Sequence, residues 1–273
     1  MRCILVTGAG GGLGAQVSEL LASSGWTVYA ADSDRRSLRP LEARTGIFSF
    51  RMDVTRAADV AGVRKKIEAM TDGLDGLVCC AGIFAGGPLV EAKEHDMSRI
   101  LDVNVMGAFR VVKAFFPLLR RRKGIVVLVG SESSRCAMPF NGPYTVSKSA
   151  LQAYADVLRR ELMFIGLRVT IVHPGGFRTS LLSGARSMMD RKGKGTLFSA
   201  QLGVVRRLLS REFEKAMEPA EVARVVVRAL GAHHPRPCYR VGNDPLRALL
   251  AKLPASWTDR LIMWFTSRRS SPG

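Results

Sequence analysis

The sequence contains little from which a disulfide framework or a metal centre could be built. Its 273 residues include only five cysteines, with no Cys-x-x-Cys element, and two of them, Cys79 and Cys80, are adjacent. The four histidines show no ligand-type spacing with carboxylates or cysteines. Extracellular disulfide scaffolds and zinc modules are therefore disfavoured, and we expect reduced thiols packed in a core and no metal site.

Acidic residues are scarce relative to basic ones. The 41 lysines and arginines exceed the 23 aspartates and glutamates and give a formal net charge of +18. Such an excess raises the question of an anionic partner: nucleic acid, membrane lipid or an acidic cofactor. The basic residues are scattered in pairs and short runs, such as 120–123, and no basic helix interleaved with aromatic residues accompanies them. We therefore expect no nucleic-acid partner.

The first residues also lack the pattern of a secretory leader. The chain passes from Met1 through a short apolar run into a glycine-rich loop at Gly8, which leaves no room for the charged, apolar and cleavage regions of a secretory signal. We therefore expect a cytoplasmic or cytoplasm-facing protein.

Apolar runs of strand length alternate with amphipathic stretches of helix length. The predicted strands are 3–7, 27–31, 47–52, 76–80, 125–130 and 168–173, and the predicted helices are 14–24, 57–70, 97–121, 144–165 and 219–230. The run Ile125–Val129 is apolar throughout, which is typical of a strand covered on both faces. This alternation predicts an α/β fold, a Rossmann-type doubly wound parallel sheet in a three-layer α/β/α sandwich. No linker divides the chain, so we expect residues 1–273 to form a single domain.

Two segments depart from this alternation. Residues 180–213 are rich in Gly, Lys, Arg, Met and Ser and follow the sixth strand, so we expect a mobile lid over the carboxyl ends of the strands. Residues 245–273 are amphipathic and basic, include Trp257 and Trp264, and are too short and interrupted to span a bilayer. Two interpretations remain open for this C-terminal extension: helices that close the substrate pocket or a subunit interface, and peripheral contact with a membrane.

The glycine-rich loop between Thr7 and Gly14 predicts a dinucleotide site. It follows the first strand directly and opens the first helix, an arrangement in which glycines allow a tight turn and close approach of the backbone to a pyrophosphate. The free N–H groups of the helix N-terminus then face the phosphate charge. We expect contacts to the cofactor from Gly8, Gly12, Leu13 and Gly14.

Two aspartates end the second and third predicted strands. Asp32 is placed to accept hydrogen bonds from the adenosine ribose hydroxyls, and its charge repels a 2′-phosphate, which favours NAD(H). NADP(H) remains an alternative because Arg35 and Arg36 follow closely. Asp53, followed by Val54, is placed to meet the adenine amino group. The competing interpretations are a turn at Asp32 and a helix cap at Asp53.

Tyr144 and Lys148 lie four residues apart, on one face of a predicted helix. A free tyrosine has a pKa of about 10, so it exchanges protons near neutrality only if positive charge stabilises its anion. A unit charge about 4 Å away contributes roughly 4 kcal/mol at an effective dielectric near 20, or about three pKa units before desolvation. The pair predicts a general acid for carbonyl reduction and a general base for alcohol oxidation.

Two polar residues are predicted to accompany this pair. Ser131 follows the fifth strand, where its hydroxyl can polarise a substrate oxygen, although Ser133 and Ser134 compete for that role and a simple turn is the alternative. Asn104 lies in an apolar helical stretch, where a buried amide must find partners. It can hold a water that connects Lys148 to solvent, or it can be a core amide satisfied by the backbone.

These motifs, in this order, resemble the short-chain dehydrogenase/reductase family across nearly the whole chain. The matching positions are 7–14, 104–107, Ser131, 144–148 and 174–179. Within that family, the segments 144–179 and 234–242 are similar to the retinol and 17β-hydroxysteroid dehydrogenase branch.

The resemblance implies a role for each matched position. It implies that Tyr144 is the acid and base, Lys148 binds the nicotinamide ribose and Ser131 holds the substrate oxygen. Asn104 belongs to a proton relay, and the segment from Pro174 contacts the nicotinamide end. The cofactor contacts expected from the loop, the strand ends and the resemblance are Gly8, Gly12, Leu13, Gly14, Asp32, Asp53, Val54, Ala81, Gly82, Asn104, Tyr144, Lys148, Pro174, Gly175, Phe177 and Thr179. Related enzymes imply a homodimer or homotetramer.

One departure from the family pattern follows the fourth strand. The family usually has Asn-Asn-Ala-Gly there, whereas this chain has Cys79-Cys80-Ala81-Gly82. The small Ala-Gly pair that admits adenosine is kept, and the side-chain amides that brace the central sheet are lost. We expect Cys79 and Cys80 to be packing thiols and not nucleophiles.

The leading hypothesis is an NAD(P)(H)-dependent oxidoreductase that interconverts an alcohol and a carbonyl compound. Apolar residues of the predicted lid, among them Leu181, Met188 and Phe198, favour a hydrophobic substrate such as a steroid, a retinoid or an oxo-lipid. Two alternatives remain: a 3-oxoacyl or polyol-type reductase acting on a polar or carrier-linked substrate, and a non-catalytic dinucleotide-binding sensor.

Overall fold

The computed structural model describes residues 1–178, 195–214 and 216–267. Side chains at 208–213, 265 and 267 are not described. The predicted contact at Thr179, the part of the predicted lid from 180 to 194 and the end of the C-terminal extension lie outside the described residues.

The described residues build one parallel sheet in the order β3-β2-β1-β4-β5-β6-β7. Its strands are β1 (Cys3–Thr7), β2 (Thr27–Asp32), β3 (Ile47–Arg51), β4 (Gly76–Cys79), β5 (Ile125–Val129), β6 (Arg168–Pro174) and β7 (Cys238–Val241). The strand order reverses between β1 and β4, which is the crevice where α/β sheets bind ligands. The predicted α/β fold is confirmed.

Helices cover both faces of the sheet. They are α1 (Gly12–Ser23), α2 (Arg35–Glu42), α3 (Ala57–Glu68), α4 (Glu94–Leu101), α5 (Gly107–Arg121), α6 (Gly142–Leu162), α7 (Ser199–Glu214), α8 (Pro219–Gly231), α9 (Pro245–Leu250) and α10 (Ala255–Ser267). Side chains of α3, α5 and α6 share one apolar core with the sheet, and those of α1, α2 and α8 share the other. The continuous apolarity of β5 matches its complete burial between these two cores.

The predicted helix 97–121 is wrong in its middle. The structure has α4, then a π-helical turn over Asp102–Met106, and then α5. The wider turn presents Asn104 toward the loop after β4, where its side chain bonds the backbone of Ile83. Such π turns are frequent at functional sites, and apolar periodicity alone does not reveal them.

The C-terminal extension forms α9 and α10, and α10 packs against α7, which belongs to the predicted lid. Trp257 and Met263 on α10 are 62% and 67% exposed. Among the described residues, no helix combines the length and apolarity needed to cross a bilayer. The packing of α10 against α7 and the exposed apolar residues of α10 leave both interpretations of the extension open.

Candidate active site

Two glycines of the loop after β1 lie so close to other backbone atoms that a side chain at either position would collide with them. Gly8 has a φ of +66°, and a Cβ there would lie 2.6 Å from the Ala81 backbone nitrogen. A Cβ on Gly14 would lie 2.1 Å from the Gly8 carbonyl oxygen. Helix α1 begins here with Gly11 as N-cap, which offers no side-chain hydrogen bond to the first turn. The loop therefore keeps N–H groups and space for an anion at the helix N-terminus, and it fits a dinucleotide pyrophosphate.

Both strand-end aspartates lie at the cavity described below. The Asp32 carboxylate accepts hydrogen bonds from the backbone N–H groups of Gly10 and Asp34, each at 3.0 Å, and so braces the glycine loop. Asp53 accepts from the backbone and the hydroxyl of Thr55, at 2.9 and 2.7 Å. Burial raises the pKa of Asp53, but those hydrogen bonds and nearby arginines outweigh it, so the pKa lies below its usual value.

Asp53 does not cap helix α3 in the way one interpretation proposed. The N-cap of α3 is Arg56, and its side chain makes no capping hydrogen bond. The carboxylate of Asp53 instead closes a turn onto Thr55, two residues before the helix begins at Ala57.

A cavity of about 700 Å³ lies at the carboxyl ends of the strands. The predicted cofactor contacts that line it are Gly8, Gly12, Leu13, Gly14, Asp32, Asp53, Val54, Ala81, Gly82, Tyr144, Lys148, Pro174 and Phe177. Asn104 and Gly175 lie behind this lining. The backbone of Gly175 packs so tightly on the loop after β7 that a Cβ would lie 2.1 Å from the Gly242 carbonyl oxygen.

The cavity also has a polar wall that sequence reasoning missed. His95, Ser98 and Arg99 of α4 line it together with Asp102. These residues do not form a recognisable sequence motif, and the π turn changes the helix face that the apolar pattern predicts. No sequence signal identifies them.

Tyr144 and Lys148 lie on the first turns of α6, on its cavity side. The chain enters α6 through a contact between the Tyr144 N–H and the Ala85 carbonyl oxygen, at 3.0 Å. The Lys148 Nζ lies 5.8 Å from the centre of the Tyr144 ring and donates to the Val129 carbonyl oxygen at 2.8 Å. Burial lowers the pKa of Lys148 to about 8.

The protein by itself does not lower the pKa of Tyr144 as the sequence predicts. Burial raises the pKa of the phenol, a hydrogen bond with the Ser131 hydroxyl lowers it, and the charge of Glu132 raises it further. The net direction is upward because desolvation of the phenolate is the largest of these effects. Further positive charge is needed before this tyrosine can ionise near neutrality.

Ser131 is the serine that meets Tyr144, and Ser133 and Ser134 are turned elsewhere. The Ser133 backbone N–H donates to the Ser131 hydroxyl oxygen at 3.2 Å, and the Ser134 hydroxyl donates to the Ser131 carbonyl oxygen at 2.8 Å. Both neighbours therefore brace Ser131, which follows β5 and is the N-cap of a short 3₁₀ helix, Glu132–Ser134.

His173 supports Ser131 from below, a role that sequence reasoning missed. His173 is fully buried at the end of β6. Its Nδ1 lies 3.1 Å from the Ser131 backbone nitrogen, and its Nε2 contacts the Gln152 side-chain oxygen. Burial lowers the pKa of His173 to about 4, so the ring is neutral near pH 7. A histidine before Pro-Gly carries no signal for this contact.

Asn104 is completely satisfied by protein groups. Its Oδ1 accepts from the Ile83 N–H at 2.8 Å, and its Nδ2 donates to the Ile83 carbonyl oxygen at 3.0 Å and to the Ser147 hydroxyl at 2.9 Å. The core-amide interpretation is therefore the one the hydrogen bonds match. Asn104 still lies beside Lys148, because a Cβ on Gly82 would be 3.3 Å from the Asn104 Oδ1 and 3.7 Å from the Lys148 Nζ.

Cys79 and Cys80, at the end of β4, have the properties of packing thiols. Cys79 is buried, and burial raises the pKa of its thiol far above the usual range. Burial also raises the pKa of Cys80 to about 12, although the ammonium of Lys148 opposes the shift. Neither thiol is ionised near neutrality, which argues against a nucleophile.

Comparison with known proteins agrees with this geometry. The family model of the short chain dehydrogenases matches residues 2–190. Retinol dehydrogenase 16 of Mus musculus is 30% identical over 280 residues, covering 96% of this chain and 88% of the relative. A 3-amino-tetrahydro-pyrrolizinone reductase of Xenorhabdus hominickii is 30% identical over 260 residues, covering 89% of this chain and 87% of the relative. A crystal structure of a short-chain dehydrogenase from Streptomyces avermitilis superposes with a TM-score of 0.79 at 25% identity, covering 99% of this chain and 98% of that one. This chain belongs to the short-chain dehydrogenase family of oxidoreductases.

Proposed function

We propose that this protein interconverts a hydrophobic alcohol and its ketone or aldehyde, with Tyr144 as general acid and base. The observation that carries the proposal is the position of Tyr144: it lines the same cavity as the glycine loop, and its phenol hydrogen-bonds with Ser131. Oxidation takes a hydride from the alcohol carbon and a proton from its hydroxyl, and reduction returns both.

Each residue has a part in moving the proton. Tyr144 takes the proton from the alcohol during oxidation and gives it to the carbonyl oxygen during reduction. Ser131 donates a hydrogen bond to the substrate oxygen, and the bracing by its neighbours and His173 holds it in place. Lys148 supplies positive charge beside the Tyr144 phenol, and Asn104 holds the π turn next to Lys148 in place.

We propose a nicotinamide dinucleotide as the cofactor, with NAD(H) preferred. When bound, it supplies the hydride acceptor or donor and, in its oxidised form, the positive charge that Tyr144 needs. Gly8, Gly12, Leu13 and Gly14 would hold the pyrophosphate, and Asp32 the adenosine ribose. The carboxylate of Asp32 disfavours a 2′-phosphate, while Arg35 and Arg36 keep NADP(H) as the alternative.

A hydrophobic substrate is supported by aromatic side chains next to Tyr144 and in the described part of the lid. The Phe84 ring lies 5.0 Å from the Tyr144 ring, and the Phe140 ring lies 5.6 Å from that of Phe198. Phe198 belongs to the described part of the lid, which is tied to the body where the Thr196 hydroxyl donates to Glu91 at 2.9 Å. Apolar ligands are favoured next to such rings because burial there removes both surfaces from water.

A substrate panel with both cofactors tests this proposal. All-trans-retinol and a 17β-hydroxysteroid represent the hydrophobic class, and D-3-hydroxybutyrate and a 3-oxoacyl thioester represent the polar class. We expect the highest kcat/KM with NAD⁺ and a hydrophobic alcohol. A preference for the thioester would support the alternative, a carrier-linked reductase, and NADH binding without turnover of any compound would support a dinucleotide sensor.

We further propose that the chain forms a single domain with residues 180–213 as its lid, and that it assembles as a homodimer or homotetramer. We also propose that the protein is cytoplasmic and makes peripheral contact with a membrane through α10. Exposed Trp257 and Met263 beside basic residues support that contact. Sedimentation with liposomes containing anionic lipid tests it: the protein should sediment, and Trp257→Ser should remain in the supernatant. Equal sedimentation of the two proteins would refute this use of α10.

A further inference from the structure

A buried carboxylate lies next to the proposed substrate-binding serine. Glu132 directly follows Ser131 and is 7% exposed. Its Oε1 forms an ion pair with the Arg247 guanidinium, and its Oε2 accepts from the Asp244 backbone N–H at 3.0 Å. The side chain of Arg247 is itself only 17% exposed. The charge of Glu132 is thus met by a residue 115 positions later in the chain.

Arg247 belongs to α9, so the ion pair ties the C-terminal extension to the active site. The Asp244 side chain caps α9 by accepting from the Leu246 N–H at 2.7 Å, and Leu250 at the end of the helix is buried. The side chain of Arg247 therefore comes from a short, anchored helix. Because the 3₁₀ helix Glu132–Ser134 begins at Ser131, a shift of α9 would reach that serine through Glu132.

The charge of Glu132 also acts on Tyr144. An anion at this position disfavours the phenolate and raises the pKa of Tyr144. The titratable and charged groups that face Glu132 or Tyr144 from the surrounding elements are Arg135 and Cys136 beside the 3₁₀ helix, Lys148 on α6, His173 on β6, and Asp244 and Arg247 at α9. Of these, Arg247 is the cation in direct contact with the carboxylate.

We propose that Arg247 is a positioning residue for this active site: its ion pair with Glu132 holds the Ser131 turn and offsets part of the negative charge near Tyr144. The C-terminal extension thereby sets the pH range in which the enzyme oxidises alcohols. This inference rests on the proposed role of Tyr144 as general base.

The pH dependence of kcat/KM for alcohol oxidation tests the inference. The full-length protein is assayed between pH 6 and pH 10.5 with NAD⁺ and all-trans-retinol, or with the alcohol of the panel that it oxidises fastest. Arg247→Met removes the cation that offsets Glu132 and moves the acid limb of the profile upward by up to about one pH unit, the effect of a unit charge roughly 10 Å away at a dielectric near 20. On that limb kcat/KM falls by up to about tenfold.

Three further variants separate charge from structure. Arg247→Lys keeps the cation, and we expect the limb to stay at its wild-type position. The double variant Glu132→Gln with Arg247→Met removes both charges, and we expect its acid limb to return from the shifted position toward that of the wild type. Arg228→Met removes an exposed cation from α8, which packs on α1, and serves as the matched control with an unchanged profile.

A profile of Arg247→Met that superposes on that of the wild type overturns the inference. If Arg247→Met does not fold, the single variant Glu132→Gln tests the inference instead. This variant removes the carboxylate and keeps the Arg247 cation, so the acid limb must move to lower pH. An unmoved limb overturns the inference. The variant Tyr144→Phe separates the two proposals. Turnover retained by Tyr144→Phe refutes the role of Tyr144 itself, whereas its loss together with an unmoved limb in Arg247→Met refutes only the role of Arg247.

Discussion

Replacing Lys148 by methionine should make the apoprotein relatively more stable at neutral pH while removing its activity. Lys148 is 5% exposed, and its Nζ makes a single described hydrogen bond, to the Val129 carbonyl oxygen at 2.8 Å. Burial penalises the ammonium and lowers the pKa of the group from 10.5 to about 8. Methionine has a similar length and carries no charge, so Lys148→Met removes that penalty and keeps most of the packing.

The magnitude follows from linkage between protonation and folding. Between pH 8 and pH 10.5 the unfolded chain binds a proton at Lys148 that the folded protein has released, so the stability of the wild type rises with pH in this window. The shift of 10.5 minus 8, or 2.5 units, corresponds to about 3 kcal/mol. The free-energy cost of burying the Lys148 ammonium is fully present below pH 8 and is lost above pH 10.5. Leaving the Val129 carbonyl oxygen without its donor costs about 1–3 kcal/mol at every pH.

Urea unfolding of the apoprotein at pH 7 and pH 10.5 measures this difference. The free energy of unfolding of Lys148→Met, minus that of the wild type, should be about 3 kcal/mol larger at pH 7 than at pH 10.5. Lys66→Met on the exposed face of α3 is the matched control, and its difference from wild type should not change with pH. A difference for Lys148→Met that is the same at both pH values would refute the conclusion that the ammonium is desolvated.

Three other predictions concern the cofactor loop and the π turn. Gly14→Ala places a Cβ 2.1 Å from the Gly8 carbonyl oxygen, so fluorescence titration should show NADH affinity lowered by about tenfold or more. Gly62→Ala, with open space around its Cβ, is the control, and equal affinities in the two variants would contradict the fit of the loop. Asp32→Ser should raise the ratio of kcat/KM for NADP⁺ over NAD⁺ by about tenfold, and an unchanged ratio would mean that Asp32 does not sense the 2′ position. Asn104→Leu leaves backbone groups unpaired near Ile83 and should lower the free energy of unfolding by about 2–3 kcal/mol, whereas wild-type stability in urea would exclude this bracing role.

The fold is predictable where the apolar pattern is continuous. β1, β5 and β6 are almost completely buried because two helix layers cover them, and their predicted bounds differ from the observed ones by at most one residue. The edge strand β7 was not predicted, because its four residues are only partly buried and include Arg240. Helix α2 was not predicted either, since it buries only Leu38 and Leu41 and contains Pro40.

The site is predictable as far as short-range motifs reach. The glycine loop and the Tyr144–Lys148 pair are defined by spacing within one loop or one helix turn, and the structure brings both to the same cavity. The contact of Glu132 with Arg247 joins residues 115 positions apart, and no pattern in the chain connects them. The placement of His173 under Ser131 likewise depends on how β5 and β6 pair.

The protonation of Tyr144 shows why charge alone is an insufficient guide. From the sequence, a neighbouring ammonium predicts a lowered pKa, because the distance between the two groups can be guessed from helix geometry. The degree of burial cannot be guessed in that way, and in the structure burial outweighs the favourable hydrogen bond with Ser131. Desolvation is a property of the assembled fold, and sequence spacing does not contain it.

The most direct test of the account is the turnover of Tyr144→Phe. Phenylalanine keeps the ring that packs 5.0 Å from Phe84 and removes only the hydroxyl that meets Ser131. We expect kcat/KM for the preferred alcohol to fall by about a thousandfold or more, while the dissociation constant for NADH stays within about twofold of the wild type. A variant that binds NADH and still turns over at the wild-type rate would contradict the role of Tyr144 as general acid and base.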